Sequence, residues 1–469
     1  MLVEQAITQL PETTMTASDL ATAVRALMPR AQRELAELVA FPSIADPELG
    51  LEQECRAAAR WVAEALRAEG LTDVRLLDTP DGTQSVYGEL LGLPDAPTVL
   101  LYAHYDVQPE LDAAAWTSPP FELTERDGRW YGRGAADCKG NILMHLTALR
   151  ALRELGGGTL PVNLKVIVEG SEEQGTGGME KYALGAPELL LADAIVIGDV
   201  GNFAAGLPTA TASLRGITEA EIEIRTLAGN LHSGQFGGAA PDALAALIKV
   251  LGTLYDEQGA TAITGLPADQ TWPGVSYPED RFRADAKVLD GVQLIGGGEI
   301  ADRLWARPAV TVVGIDVPSV LGSTSSVQAT ARAKVSLRVP PGMDVDAAQA
   351  ALLEHLKDAA PWHVDVRVTA LASGSPFSAE TAGPAYEALG AAMHEAYGVE
   401  MVVSGEGGSI PLCNTLRNLY PKAEIVLIGV EEPGCQIHAV DESLDPSELE
   451  KMALAEALFL RDYPKVWGR

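Results

Sequence analysis

The chain has 469 residues, more than one hydrophobic core ordinarily serves, so at least two domains are expected. Hydrophobic residues make up 47% and charged residues 21%, an ordinary globular balance, and the formal net charge is −31. That charge, without a basic patch, argues against nucleic acid and anionic membranes as partners, and no apolar run approaches the length of a membrane span. Cys55, Cys138, Cys413 and Cys435 are too scattered for a disulfide framework. The opening stretch MLVEQAITQLPETTMTASDL has no basic residue before Arg25 and no apolar centre. It does not read as a secretory signal, and the expected location is the cytoplasm.

In chain order, Ser18 to about Val39 is predicted helical, with Ser18 as N-cap and Pro29 as a kink or break. A second helix is predicted over Glu52–Glu69, where Trp61, Val62, Ala65 and Leu66 recur at helical spacing and Gly70 ends it. Short apolar runs follow: SVYGEL, TVLLYAHYD, LKVIVEG and AIVIGD. The last three carry Val, Ile and Leu on both faces, as central strands covered on both sides do. A helix from about Asn141 to Leu155 separates two of them, which predicts an α/β layered domain with a largely parallel sheet. After about Arg215 the pattern changes. TEAEIEIRT alternates as a half-exposed strand, and PDALAALIKVLGTLY is helical with Pro241 in its first turn. A long loop region precedes the strands AVTVVGID and ATARAKVSLRVP, the helix VDAAQAALLEHLKDAA and the strand HVDVRVTAL, together a compact two-layer α+β unit. After about Phe377 the helix AYEALGAAMHEAYG and the strand AEIVLIGV return to the α/β pattern of the first half. The expected division is an α/β domain of residues 1–215 and 377–469, split by an inserted domain of residues 216–376.

Chemistry-bearing residues gather at predicted strand ends. His104 and Asp106 close TVLLYAHYD and, two apart, share a face. Asp137 sits in the glycine-bearing loop YGRGAADCKGN before a helix. Glu172 and Glu173 follow the next strand, Asp199 ends AIVIGD, and His438 follows AEIVLIGV. Each has a bland reading: a hydrogen-bonded His–Asp pair, solvated glutamates, a turn aspartate. Their recurrence at successive strand ends, where ligands gather in open α/β sheets, favours a hydrolytic metal site instead. Imidazole with carboxylate suits zinc. Adjacent carboxylates at a strand end point different ways, so one of Glu172 and Glu173 can bind metal while the other handles a proton. The residues alone leave open which does which.

LLYAHYDVQP, WYGRGAADCKGN, VEGSEEQGT, IGDVGN, LHSGQFGG and GEGGSIP resemble, in order and over nearly the whole chain, the signature segments of the di-zinc exopeptidases. That family comprises carnosinase-type dipeptidases, glutamate-releasing carboxypeptidases, aminoacylase, and acetylornithine and succinyl-diaminopimelate deacylases. Asp106–Pro109 and Gly407–Pro411 resemble its dipeptidase branch most. The resemblance implies a zinc-exopeptidase-like three-layer catalytic domain with an inserted two-layer α+β lid and dimerisation domain. It implies two Zn2+ per chain, or Mn2+ or Co2+ in their place. Asp137 would bridge them, with His104 and Asp199 on one ion and Glu173 and His438 on the other. Asp106 would orient His104 without touching metal, Glu172 would be the general base, and the Asp137–Cys138 peptide would be cis.

The resemblance also assigns substrate-binding roles. His232 would reach across a homodimer interface to stabilise the oxyanion. Arg338 would bind the substrate's terminal carboxylate, assisted by Gly407, Gly408 and Ser409. Gly405 stands where carnosinase-type sequences often have arginine, and Ser325 and Ala329 replace an Asn and a Pro. These departures bear on substrate range. The expected activity is hydrolysis of small peptides with a free C-terminal carboxylate. An N-acyl-amino-acid deacylase of the same fold and a non-catalytic metal-binding scaffold are the rival readings.

Overall fold

The computed structural model describes residues 15–468, so residues 1–14, on which much of the no-signal reading rests, lie outside the described residues. The first helix is Ala17–Val39. Its cap is Thr16, not Ser18: Thr16 Oγ1 accepts from the Asp19 amide at 3.1 Å and the Asp19 carboxylate accepts from the Thr16 amide at 3.0 Å. Pro29 does not break it. The buried face of Leu20, Val24, Ala31, Leu35 and Leu38 holds the helix together across the missing N–H. Likewise Pro241 precedes its helix, Ala243–Gly252, because Asp242 is the cap, accepting from the Ala245 amide at 2.9 Å.

The main sheet has nine strands. At its centre Asn163–Glu169, Thr98–His104, Ala194–Gly198 and Glu424–Ile428 lie side by side and parallel. Gln84–Leu90 and Thr209–Leu214 flank them antiparallel, so the sheet is mixed, with its parallel part at the centre. Alternate residues feed two cores. Val99, Leu101, Ala103, Val166 and Val196 face the long helices Ala17–Val39, Lys139–Leu155 and Pro446–Val466, while Leu100, Tyr102, Ile167 and Ile197 face Met179, Leu412 and Leu416 on short helices. This is a three-layer α/β domain, and it explains the unbroken Val/Ile/Leu runs.

A second sheet is antiparallel, in the order Ala309–Asp316, Thr330–Val339, Gly216–Arg225, Asp365–Gly374. Helices Ala243–Gly252 and Val345–Asp358 cover one face, burying Ile222, Ile224, Leu247, Val250, Val335 and Leu352. The loop region before Ala309 is better organised than the sequence indicated. It contains the helix Glu279–Asp285 and a π turn at Asp302–Ala306, and it bonds to the main sheet through the Val275 amide and the Val403 carbonyl, 2.9 Å apart.

Candidate active site

The parallel strands end together, and their carboxyl ends deliver the side chains. His104 is the last residue of its strand and is buried. Its Nε2 lies 3.0 Å from Asp137 Oδ1 and 3.0 Å from Asp199 Oδ1. His438 approaches from the opposite side, with Nε2 at 2.9 Å from Asp137 Oδ2 and 3.1 Å from Glu173 Oε2. The two oxygens of Asp137 therefore face different histidines. The Asp137–Cys138 peptide is cis.

Two carboxylates hold the turn that carries Glu172 and Glu173. Asp106 accepts the Glu172 amide at 3.1 Å and the Glu173 amide at 3.0 Å, fixing the turn that carries both glutamates. The His104 Nδ1 is satisfied chiefly by the Asp106 carbonyl at 3.0 Å, with the carboxylate oxygen at 3.4 Å. Asp106 thus orients the ring partly through its main chain, which the sequence does not indicate. Asp81 braces the same turn from outside, accepting from Ser171 Oγ at 2.7 Å and from Thr79 Oγ1 at 2.6 Å. Burial opposes its charge, but bonds from Thr176, Thr79, Ser171 and the Thr83 amide outweigh it and hold its carboxyl below the ordinary range. A carboxyl with a depressed folded pKa stabilises above its unfolded value and loses that contribution as pH falls through the folded one. The urea midpoint of Asp81→Asn should therefore lie below that of the parent at pH 7, and the gap should close on acidification below about 4. A gap that persists unchanged into acid would contradict this role.

The Asp137 loop is held by Glu442, which is buried. It accepts from Arg133 Nη1 at 2.8 Å and from the amides of Gly134, Ala136 and Asp137 at 3.0, 3.1 and 3.2 Å. Sequence reasoning missed this residue. It also missed Glu431, whose carboxylate oxygen lies within 4.8 Å of oxygens from Asp137 and Asp199 and takes a bond from Asn141 Nδ2 at 3.1 Å. The signal was available, since GVEEP is a second apolar strand running into paired glutamates.

This is a crowded set of enclosed acids. Burial first, then neighbouring carboxylates, push Glu172, Glu173, Asp199 and Glu431 above the ordinary carboxyl range. Bonds to Asp137 and Glu173 raise His438 to about 11. Burial opposes a charge on His104, but Cys138, Asp199, Asp106 and Asp137 outweigh it. Among the described residues the two histidines are the cluster's positive counterweight, each facing carboxylate oxygens with its Nε2. The donor set of imidazole and carboxylate around the two-sided Asp137 fits two divalent cations.

Glu172 differs from Glu173. Its carboxyl is largely enclosed, yet among the described residues it makes no bond to either histidine. Arg338 lies half-buried near the end of the strand Thr330–Val339, and the neighbouring Arg215 lies against Gly407, where an added Cβ would meet Nη2 at 2.9 Å. Burial and Arg338 lower the Arg215 guanidinium to about 10, and its buried Nε has no partner. His232 is exposed, its Nδ1 accepting from the Gly234 amide at 3.1 Å, and makes no bond to the cluster among the described residues. Cys138 is buried with Sγ 2.9 Å from the Gly198 carbonyl.

A model of peptidase family M20/M25/M40 matches residues 100–462. The cysteinylglycine-S-conjugate dipeptidase of Corynebacterium striatum is 47% identical over 438 residues, covering 92% of this chain and 95% of that protein. Among solved structures, human carnosine dipeptidase 1 aligns with a TM-score of 0.81 at 25% identity, covering 95% of this chain and 98% of that one. The dipeptidase Dug1p of Saccharomyces cerevisiae aligns with a TM-score of 0.82 at 23% identity, covering 96% and 99%.

Proposed function

This chain belongs to peptidase family M20/M25/M40 and is a metallopeptidase that cleaves dipeptides; from that premise we propose how its own residues perform the reaction. The observation that carries the reading is the two-sided Asp137, with one oxygen toward His104 and Asp199 and the other toward His438 and, beyond it, Glu173. Asp137 would hold two ions, His104 and Asp199 completing one set and Glu173 and His438 the other. Zinc suits these donors, with Mn2+ or Co2+ as substitutes. Bound metal supplies a Lewis acid and lowers the pKa of water at the site.

The protein's part follows from the geometry. Asp106 fixes the His104 ring so that Nε2 faces Asp137 and Asp199. The Glu172 carboxylate, free of the histidines, takes a proton from water and returns it to the leaving amine nitrogen. Arg338, with Gly407, Gly408 and Ser409, receives the substrate's C-terminal carboxylate. His232 serves the site of a second copy in a homodimer. The exposed apolar pair Val320 and Leu321, 94% and 93% accessible, supports such an interface. The division into residues 1–215 with 377–469 and 216–376 belongs to this reading, as does a cytoplasmic location. Among the described residues no helix is long and apolar enough to cross a membrane.

One purified sample tests the proposal: metal per chain is quantified, then free dipeptides and N-acetyl amino acids are assayed side by side. About two metals with cleavage of free dipeptides alone is the expected result. Cleavage confined to N-acyl substrates would assign the site to deacylation. Glu173→Ala should lose metal from one site. Arg338→Met should raise KM for free dipeptides about 10- to 100-fold and leave dipeptide amides unaffected, as loss of a charged hydrogen bond predicts. An equal loss on both substrates would remove Arg338 from carboxylate recognition.

A further inference from the structure

Of the adjacent glutamates Glu431 and Glu432, only one has its charge accounted for within the chain. Glu432 accepts from Arg129 Nη2 at 2.5 Å and from the Gly434 amide at 2.7 Å, so it is paired and caps a short turn. Glu431 is buried, and among the described residues no lysine, arginine or histidine pairs with it. Its side-chain bond among those residues comes from the neutral amide of Asn141, at 3.1 Å on Oε1. A buried carboxylate without a cation is costly, which points to a cation supplied from outside the chain.

The seat of Glu431 is built from both flanks of the cluster. On one side it forms an isolated parallel bridge with Gly201, and its carbonyl accepts the Asn202 amide at 2.8 Å. Gly201 follows Asp199 by two residues, and a Cβ there would collide with the Glu431 main chain, so glycine permits the approach. On the other side Asn141 gives Nδ2 to the carboxylate and takes the Val430 amide on Oδ1 at 2.9 Å. Asn141 lies in the first turn of the helix Lys139–Leu155, which follows Asp137. The segments that present Asp137 and Asp199 therefore also fix Glu431. One of its oxygens lies within 4.8 Å of an oxygen of each, and those two lie within the same reach of one another. Donors about 2.0–2.2 Å from an ion stand up to about 4.4 Å apart across it, so three oxygens this close fit round one cation with little movement.

Resting on the two-ion reading of the site, we propose that Glu431 is a further ligand to the ion held by His104, Asp137 and Asp199. That donor set is then three carboxylates and one imidazole, against two carboxylates and one imidazole from Asp137, Glu173 and His438 on the other ion. Carboxylate suits Mn2+ where imidazole suits zinc, so the two positions differ in the metal they favour. Equilibrium dialysis of the full chain against Mn2+ alone and Zn2+ alone reads both affinities. In Glu431→Gln one ion should be held at least about 10- to 100-fold less tightly, the loss that even a supporting residue of a metal site produces. Mn2+ should lose more than Zn2+, and the other ion should keep the parent's affinity. Glu431→Asp keeps the charge and draws the oxygens back by one methylene. It should show the same selective loss, which an effect of charge alone would not, and it decides the matter by itself where Glu431→Gln does not fold. Parent affinity for both ions in the variants, with KM for dipeptides raised instead, overturns the inference and gives the carboxylate to the substrate's ammonium. Equal weakening of both ions with an altered near-ultraviolet circular dichroism spectrum also overturns it, leaving Glu431 a structural residue. Both results leave the metallopeptidase reading standing, whereas a parent that binds neither metal overturns both.

Discussion

Glu172→Gln should bind as much metal as the parent and turn over about a hundred- to ten-thousand-fold more slowly, the range that general acid–base catalysis contributes. The argument is positional. The two glutamates share one turn, pinned by the Asp106 carboxylate through both amides. Only Glu173 then reaches His438, at 3.1 Å. The Glu172 carboxyl is enclosed, with Asp199 the neighbouring charge that most raises it after burial, and makes no bond to a histidine among the described residues. Glutamine keeps the shape and removes the basic oxygen. Metal analysis and single-turnover rates on the same preparation decide it. Full activity, or loss of metal, would reverse the two roles.

Glu442→Ala should be the most destabilising single change near the site, at about 3–5 kcal/mol, the cost of stripping one partner from a buried ion pair. Arg133 would remain 1% exposed with its Nη1 unpaired and its Nε already without a partner. The amides of Gly134, Ala136 and Asp137 would lose their acceptor together. Because those amides set the loop that presents Asp137, metal affinity should fall with stability. Urea denaturation at fixed metal concentration and a metal titration of the folded variant measure the two effects. An unchanged midpoint would mean that water replaces the carboxylate at no cost, contrary to its burial.

Much of this site was legible because the sheet makes it so. His104, Asp199 and the Glu172–Glu173 pair each end an apolar run, and such a run ends where the sheet ends, so all reach the same edge. The division of labour between the glutamates was not legible, because it depends on a 3-10 turn whose direction Asp106 sets from another strand. Glu431 carries the same signal as the Glu172–Glu173 pair, since its strand also runs into adjacent glutamates. Glu442 carries no such signal: in AVDES it looks like a solvated loop residue, and only the three-stranded sheet joining Arg129–Tyr131 to Ser443–Leu444 brings it under the Asp137 loop. Arg215 hides at the junction of two strands. The packing of Tyr277 against Phe282 and Trp305 was invisible for a different reason. Tyr277, Phe282 and Trp305 fall in a stretch without apolar periodicity, and a π turn obeys neither of the periods by which elements are recognised. The helix boundaries at Thr16 and Asp242 differ from expectation because side-chain caps override the nearest serine or proline.

The order in which the site's residues leave the ribosome has a consequence of its own. His104, Asp137, Glu172, Glu173 and Asp199 all precede the inserted unit, while His438 and the strand Glu424–Ile428 follow it. At about 5–20 residues per second, translation passes Asp199 tens of seconds before it reaches His438. During that interval Ala194–Gly198 is an apolar strand with one edge unpaired, and the early acids lack the histidine that will face them. The insertion, with its own antiparallel sheet and core, can complete itself meanwhile. For that interval the main sheet lacks the strand that its edge at Ala194–Gly198 pairs with, because that strand is synthesised only after the whole insertion.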